Sequence, residues 1–124
     1  MSAPNIVNVA TITGKSATLD LTTTNATALV SNPASSNKVF KINTIIVSNT
    51  DGTIAVDVTA RYYSEDDIGG TGTELASTIS IPADSTLILL DKNTSLYLEE
   101  DRSIGITAGS ANKLKAIVSY EEIS

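Results

Sequence analysis

Apolar residues in this chain recur at every second position, and no stretch longer than ten residues repeats at the 3.6-residue period of an amphipathic helix. Successive side chains of a strand point to opposite faces, so this pattern commits the chain to half-buried strands. Phe40, Ile42, Thr44 and Ile46 alternate with Lys41, Asn43 and Ile45. Ile54, Val56, Val58, Ala60 and Tyr62 alternate with Thr53, Ala55, Asp57, Thr59 and Arg61. Between them lies Asn49-Thr50-Asp51-Gly52, whose Asp-Gly suits the positive φ of a tight turn, so a hairpin is expected. The two even-numbered sets share a face only across an odd-length loop or a bulge, and one of these is expected as well.

Further short runs follow. Leu75, Ser77, Ile79 and Ile81 form one face of a strand, and Thr86–Leu90, apolar on both sides, reads as a strand covered on both. Leu96 and Leu98 share a face; Ile104 and Ile106 point inward; Leu114, Ala116, Val118 and Tyr120 line another face, with Lys113, Lys115 and Ser119 towards water. Ala17–Leu21 and Ala26–Val30 are weaker strands. Ile, Val and Thr supply 39 of the 124 residues, and β-branched side chains favour strands. Without Trp, and with only Phe40, Tyr62, Tyr63, Tyr97 and Tyr120 as aromatics, the core must be aliphatic. The expected fold is all-β, an antiparallel β-sandwich of jelly-roll-like form with eight to nine strands.

At 12.9 kDa the chain fits one domain, and segment 31–37 (Ser-Asn-Pro-Ala-Ser-Ser-Asn) reads as a loop inside it. The domain is expected over 17–124, preceded by an extended N-terminal arm over 1–16. In that arm Pro4 discourages regular pairing, Gly14 allows a sharp turn, and Ile6, Val7, Val9 and Ile12 offer apolar contacts to a neighbour. The bland alternative is an edge strand of the same subunit. Tyr63 joins these interface candidates, because the alternation puts Tyr62 in the core and leaves Tyr63 free.

A net charge of −6 and a pI near 4.4 argue against nucleic acid and anionic membrane surfaces as partners. No apolar run approaches the roughly 20 residues that span a bilayer, and no secretory signal is visible. Without His or Cys, a Ser–His–Asp triad, thiolate catalysis and cysteine-type zinc are excluded, and neither a nucleophile elbow nor a P-loop occurs. No catalytic residue and no cofactor is expected. Glu65, Asp66 and Asp67, followed by Gly69-Gly70, are the place to look for calcium, although their spacing is not that of an EF-hand. The simpler reading is a solvated tip between strands 53–63 and 73–81, whose neutralisation leaves assembly nearly unchanged.

Lys38–Asn49, Ile81-Pro82-Ala83-Asp84-Ser85-Thr86-Leu87, Leu96-Tyr97-Leu98-Glu99-Glu100-Asp101 and Val118-Ser119-Tyr120-Glu121-Glu122-Ile123 form a series of turn and strand signatures. Over roughly 38–123 the series resembles small virion structural proteins of tailed bacteriophages, especially marine and cyanobacterial ones. The resemblance implies a non-enzymatic protein made in the host bacterial cytoplasm and carried in the virion. It implies a capsid decoration or cement protein that binds the major capsid protein, with a neck, collar or tail component as the alternative and a glycan- or receptor-binding module behind both. A homo-oligomer is expected, with the trimer taken from the resemblance.

Overall fold

The structure, a computed structural model, describes residues 11–124. Nine strands lie among the described residues: β1 (Ile12–Asp20), β2 (Thr27–Asn32), β3 (Val39–Asn49), β4 (Val56–Tyr63), β5 (Gly72–Ile81), β6 (Thr86–Leu90), β7 (Leu96–Leu98), β8 (Arg102–Ala108) and β9 (Leu114–Ile123). A single 3-10 turn, Lys92–Thr94, separates β6 from β7.

The first sheet has the order β1-β9-β3-β6, and β7 continues past β6 along the same edge of β3. The second has the order β2-β8-β4-β5. Every pairing is antiparallel, and the pairings nest: β4 with β5, β3 with β6 and β7, β2 with β8, β1 with β9. One long hairpin has rolled over on itself, and the β3–β9 and β4–β8 ladders close the roll into two sheets. This is a jelly roll. The inward sets meet between the sheets: Phe40, Ile42, Ile45, Val47, Leu114, Ala116 and Val118 from the first, Val56, Val58, Ala60, Ile104, Ile106 and Ala108 from the second. Phe40 is the buried ring of this aliphatic core, tilted against Tyr120 with 5.2 Å between centroids.

The expected hairpin at 49–52 is corrected: β3 and β4 belong to different sheets, and the chain crosses between layers there. Gly52 is not at positive φ, so Asp-Gly does not act as a primed turn. Instead Asp51 accepts from the amides of Thr53 (2.7 Å) and Ile54 (2.9 Å) and pairs with Lys113. Buried Asn49 holds the crossing: its Nδ2 donates to the carbonyls of Ile54 and Ile81, both at 2.9 Å, and its Oδ1 accepts from the Asp51 amide at 3.0 Å. The crossing from β2 to β3 repeats the device. Buried Asn32 donates to the carbonyls of Lys38 (2.9 Å) and Leu98 (3.0 Å), and Ser36 Oγ donates to its Oδ1. A short amide side chain with two donors and an acceptor can satisfy backbone groups of two segments at once, which a buried corner requires.

Other expectations shift for identifiable reasons. The bulge lies inside β3: the pairing with β9 advances from Ile42 to Thr44 while β9 advances one residue, so Asn43 is the extra residue. Ile45 and Val47 then face the core, and Thr44 and Ile46 do not. In β5 two register shifts, with Thr78 at φ 50°, bury Ala76 and expose Ser77 and Ile79. Strand β6 is an edge strand, and Ile88 is 64% exposed rather than covered. Gly14 makes no turn. It sits opposite Glu121 in a ladder that runs from Ile12↔Ile123 to Asp20↔Lys115, so residues 12–16 pair within the chain, ahead of the boundary expected at 17.

Candidate functional site

The outer face of the second sheet carries the loop 64–71, where the acidic candidates lie. Ile104 and Ile106 point into the core, so Ser103 and Gly105 of β8 point outward, and the loop folds down over them. The Ile68 amide donates to Ser103 Oγ at 2.8 Å, Ser103 Oγ donates to the Glu65 carbonyl at 2.8 Å, and the Asp67 amide donates to Ser31 Oγ at 2.9 Å. The Asp66 amide donates to Asp101 Oδ1 at 3.1 Å, while the Asp66 carboxylate accepts from the Ala34 amide at 3.3 Å. Arg102 clamps the base through the carbonyls of Ser64 and Asp101. A Cβ on Gly105 would lie 2.7 Å from Ile68 Cγ2 and 2.9 Å from the Tyr63 ring, so the close approach of this loop requires glycine there.

The loop is therefore a fastened lid rather than a loose tip. Asp66 is committed to internal bonds, whereas Glu65 and Asp67 are exposed. Among the described residues no group of three or more carboxylates converges as a metal site, so Glu65, Asp66 and Asp67 are not brought together for one ion. The expectation that Tyr63 is free is corrected: it is 9% exposed, its ring spread beside Gly72 and Gly105. Tyr62 is half-buried against the core, and its hydroxyl donates to the Tyr97 carbonyl at 3.4 Å. Burial pushes the Tyr62 phenol up, and the Glu99 carboxylate adds to the shift.

The outer face of the first sheet is different. Ile46 is opposite both Ile88 and Ile117, so three isoleucines form a row across β6, β3 and β9, with Ile88 64% and Ile117 40% exposed. Towards the start of β3 the same face holds an open cavity of about 390 Å³ lined by Lys41, Asn43, Lys92, Ser95 and Glu121. Asn43 Nδ2 donates to Glu121 Oε2 at 3.2 Å, which turns that carboxylate towards Asn43. Asp91 fixes the 3-10 turn that carries Lys92, accepting from the amides of Asn93 and Thr94. Exposed Tyr97 stands opposite Lys41 on β7.

Among the described residues, neither Lys41 nor Lys92 forms a salt bridge. The other lysines do: Lys15 and Lys38 both reach Glu122 at 3.1 Å, Lys115 reaches Asp20, and Lys113 reaches Asp51. Burial pushes the Glu122 carboxyl up, but hydrogen bonds from Lys15 and Lys38 outweigh it and leave the carboxyl below its ordinary value. The Lys113 hydrogen bond, followed by the Thr53 and Ile54 amides, holds the Asp51 carboxyl well below the usual carboxylate range. One carboxylate stands apart. Glu100, between β7 and β8, is 0% exposed, and neither oxygen has a hydrogen-bond partner among the described residues.

Of the interface candidates, Ile12 is 55% exposed at the start of β1, while Ile6, Val7 and Val9 lie outside the described residues. The lysine cavity, the isoleucine row and Glu100 had no signal in the alternation alone. The cavity needs β3, β9 and the 3-10 turn to meet, and Glu100 reads like any acidic turn residue.

No protein-family profile and no curated protein sequence matches the chain. Solved structures do. A chain in the acid-stable capsid structure of Helicobacter pylori bacteriophage KHP30 is 8% identical and superposes with a TM-score of 0.53, covering 94% of this chain and 90% of that one. A chain in the capsid of Ralstonia phage GP4 is 16% identical with a TM-score of 0.45, over 98% of this chain and 90% of that one. A chain of the virus-like particle of the extra small virus of the giant freshwater prawn Macrobrachium rosenbergii is 12% identical with a TM-score of 0.41, over 96% of this chain and 86% of that one. The jelly roll is thus shared with the chain from the KHP30 capsid structure.

Proposed function

We propose that this chain is a non-enzymatic structural protein of a bacteriophage virion, a capsid decoration or cement protein that binds the major capsid protein. The observation that carries the reading is that nearly the whole chain is jelly roll, coextensive with a chain from a phage capsid structure over 94% of one and 90% of the other. Decoration calls for a small domain with two large outer faces and no need of an internal cavity, and the isoleucine row supplies an uncovered apolar face. The resemblance of residues 38–123 to small virion proteins of tailed marine and cyanobacterial phages supports the same reading. Synthesis in the host cytoplasm and assembly as a homo-oligomer, first as a trimer, belong to it, as does attachment through Ile6, Val7, Val9 and Ile12.

Purified protein mixed with particles lacking it tests the reading. It should cosediment with intact heads at a saturable ratio to the major capsid protein. Binding to detached tails or necks instead of heads would support the alternative, a neck, collar or tail component. Binding to host-cell glycan alone would replace both by an adhesion module.

A further inference from the structure

We propose that neighbouring copies of this chain meet head to tail, with the acidic loop 64–71 of one copy seated on the outer face of the first sheet of the next. In that contact Glu65 and Asp67 enter the cavity lined by Lys41 and Lys92. The inference rests on the reading of the chain as a many-copy assembly protein and gives the uncovered isoleucine row a second copy of this chain as its occupant.

The geometry comes from the alternation. Lys41 and Asn43 flank inward-facing Ile42 and so lie on the outside of the first sheet. The loop lies on the outside of the second sheet, fastened over Ser103 and Gly105. Both sit at the same end of the sandwich, because β3 begins where β4 ends: Tyr63 and Ser103 are opposite each other, and Asn32, next to Ser31 under the loop, bonds the Lys38 carbonyl. Two complementary patches on opposite faces at one end are what a heterologous contact requires, and such a contact closes into a ring when its rotation divides a full turn.

Charge selects the occupant. On a chain of net charge −6, the two lysines without a carboxylate partner among the described residues line one cavity. The loop across the sandwich presents two exposed carboxylates that no described hydrogen bond or salt bridge engages. The loop is preorganised by its bonds to Ser31, Ser103 and Asp101, so docking orders little backbone. Exposed ion pairs contribute little by themselves, so their role is register and specificity. The area comes from the isoleucine row and Tyr97 on the receiving face. Glu121 also lines the cavity, but its carboxylate is turned onto Asn43. This contact reverses the expectation that Glu65 and Asp67 are indifferent to assembly.

Sedimentation equilibrium on the full chain tests the contact, with thermal unfolding as the folding control. Wild type should self-associate with an affinity that falls as salt rises. The charge reversal K41E/K92E should weaken association by roughly tenfold or more. E65K/D67K should do the same, and all four changes in one chain should recover it. A wild type monomeric up to about 1 mM would overturn the contact. So would K41E/K92E associating as wild type does, or the four-change chain failing to recover. Particle incorporation separates the two ideas. If K41E/K92E is monomeric in solution yet decorates heads as wild type does, the capsid reading stands and the contact is not needed for it. If wild type self-associates as described but never cosediments with particles, the contact stands and the capsid reading falls.

Discussion

Replacing Asn49 by Ala tests the argument that a buried amide, and not a hairpin turn, carries the chain from one sheet to the other. The substitution removes two donors, to the Ile54 and Ile81 carbonyls, and one acceptor, for the Asp51 amide. A buried polar group left without its partner costs about 1–3 kcal/mol. The Asp51 amide lies near the surface, where water replaces the lost acceptor, so the two carbonyls dominate. Taking the lower half of the range for each, because a carbonyl can keep a second bond, gives a loss of about 3 kcal/mol. An unfolding entropy of about 2.1 cal/mol/K per residue over 124 residues converts this to a fall in Tm of about 11 °C. Thermal unfolding followed by circular dichroism, with a urea titration to extract the free energy, reads both numbers. Asn43→Ala, which loses one bond to Glu121 on the outer face, should cost less than about 1 kcal/mol. If Asn49→Ala loses no more than Asn43→Ala, the crossing is held by something else and the reasoning fails.

Four further outcomes follow from the same structure. Glu100→Met should raise stability by about 1–3 kcal/mol, since it removes a buried carboxyl with no hydrogen-bond partner among the described residues; a lower Tm would mean that the group has one. Gly105→Ala should lower it by about 1–3 kcal/mol, because its Cβ meets Ile68 and Tyr63, and an unchanged urea midpoint would show that the loop yields freely. Asp51 and Glu122 have folded-state pKa values below their ordinary 3.8 and 4.5, so their contribution is present above about pH 5 and lost as pH falls through the folded values. Tm should therefore drop between about pH 5 and pH 2, and Lys113→Met should flatten part of that slope, whereas an identical slope would remove Asp51 from the account. On the arm proposal, deleting residues 2–10 should leave Tm unchanged yet reduce attachment to particles; a large fall in Tm would assign those residues to the domain's own core.

Much of the roll is legible because β8 and β9 obey a strict period of two. Ile104, Ile106, Leu114, Ala116 and Val118 are buried as their alternation requires, and the Glu65–Gly70 stretch does join two paired strands. The errors cluster where one residue changes the period or the partner. Asn43 shifts the phase of β3, and nothing in Ile42-Asn43-Thr44 distinguishes a bulge residue from an outward one. Asp51-Gly52 has the composition of a hairpin turn, but the buried Asn49 beside it diverts the chain into the other sheet, and that burial is a tertiary fact. The apolar run Thr86–Leu90 does signal a face seeking cover. Read as a strand already covered, it hides Ile88, the most exposed of the large apolar side chains described. Tyr63 lies outward as the alternation says, and only the loop folded over Gly105 buries it.

The central claim, that this jelly roll is a many-copy component of a virion, is tested most directly by cryo-electron microscopy of intact virions whose genome carries this sequence. The account predicts density for the β1–β9 sandwich repeated over the outer surface of the head, in contact with the major capsid protein. A well-resolved head, neck and tail in which no density accepts this sandwich would contradict it.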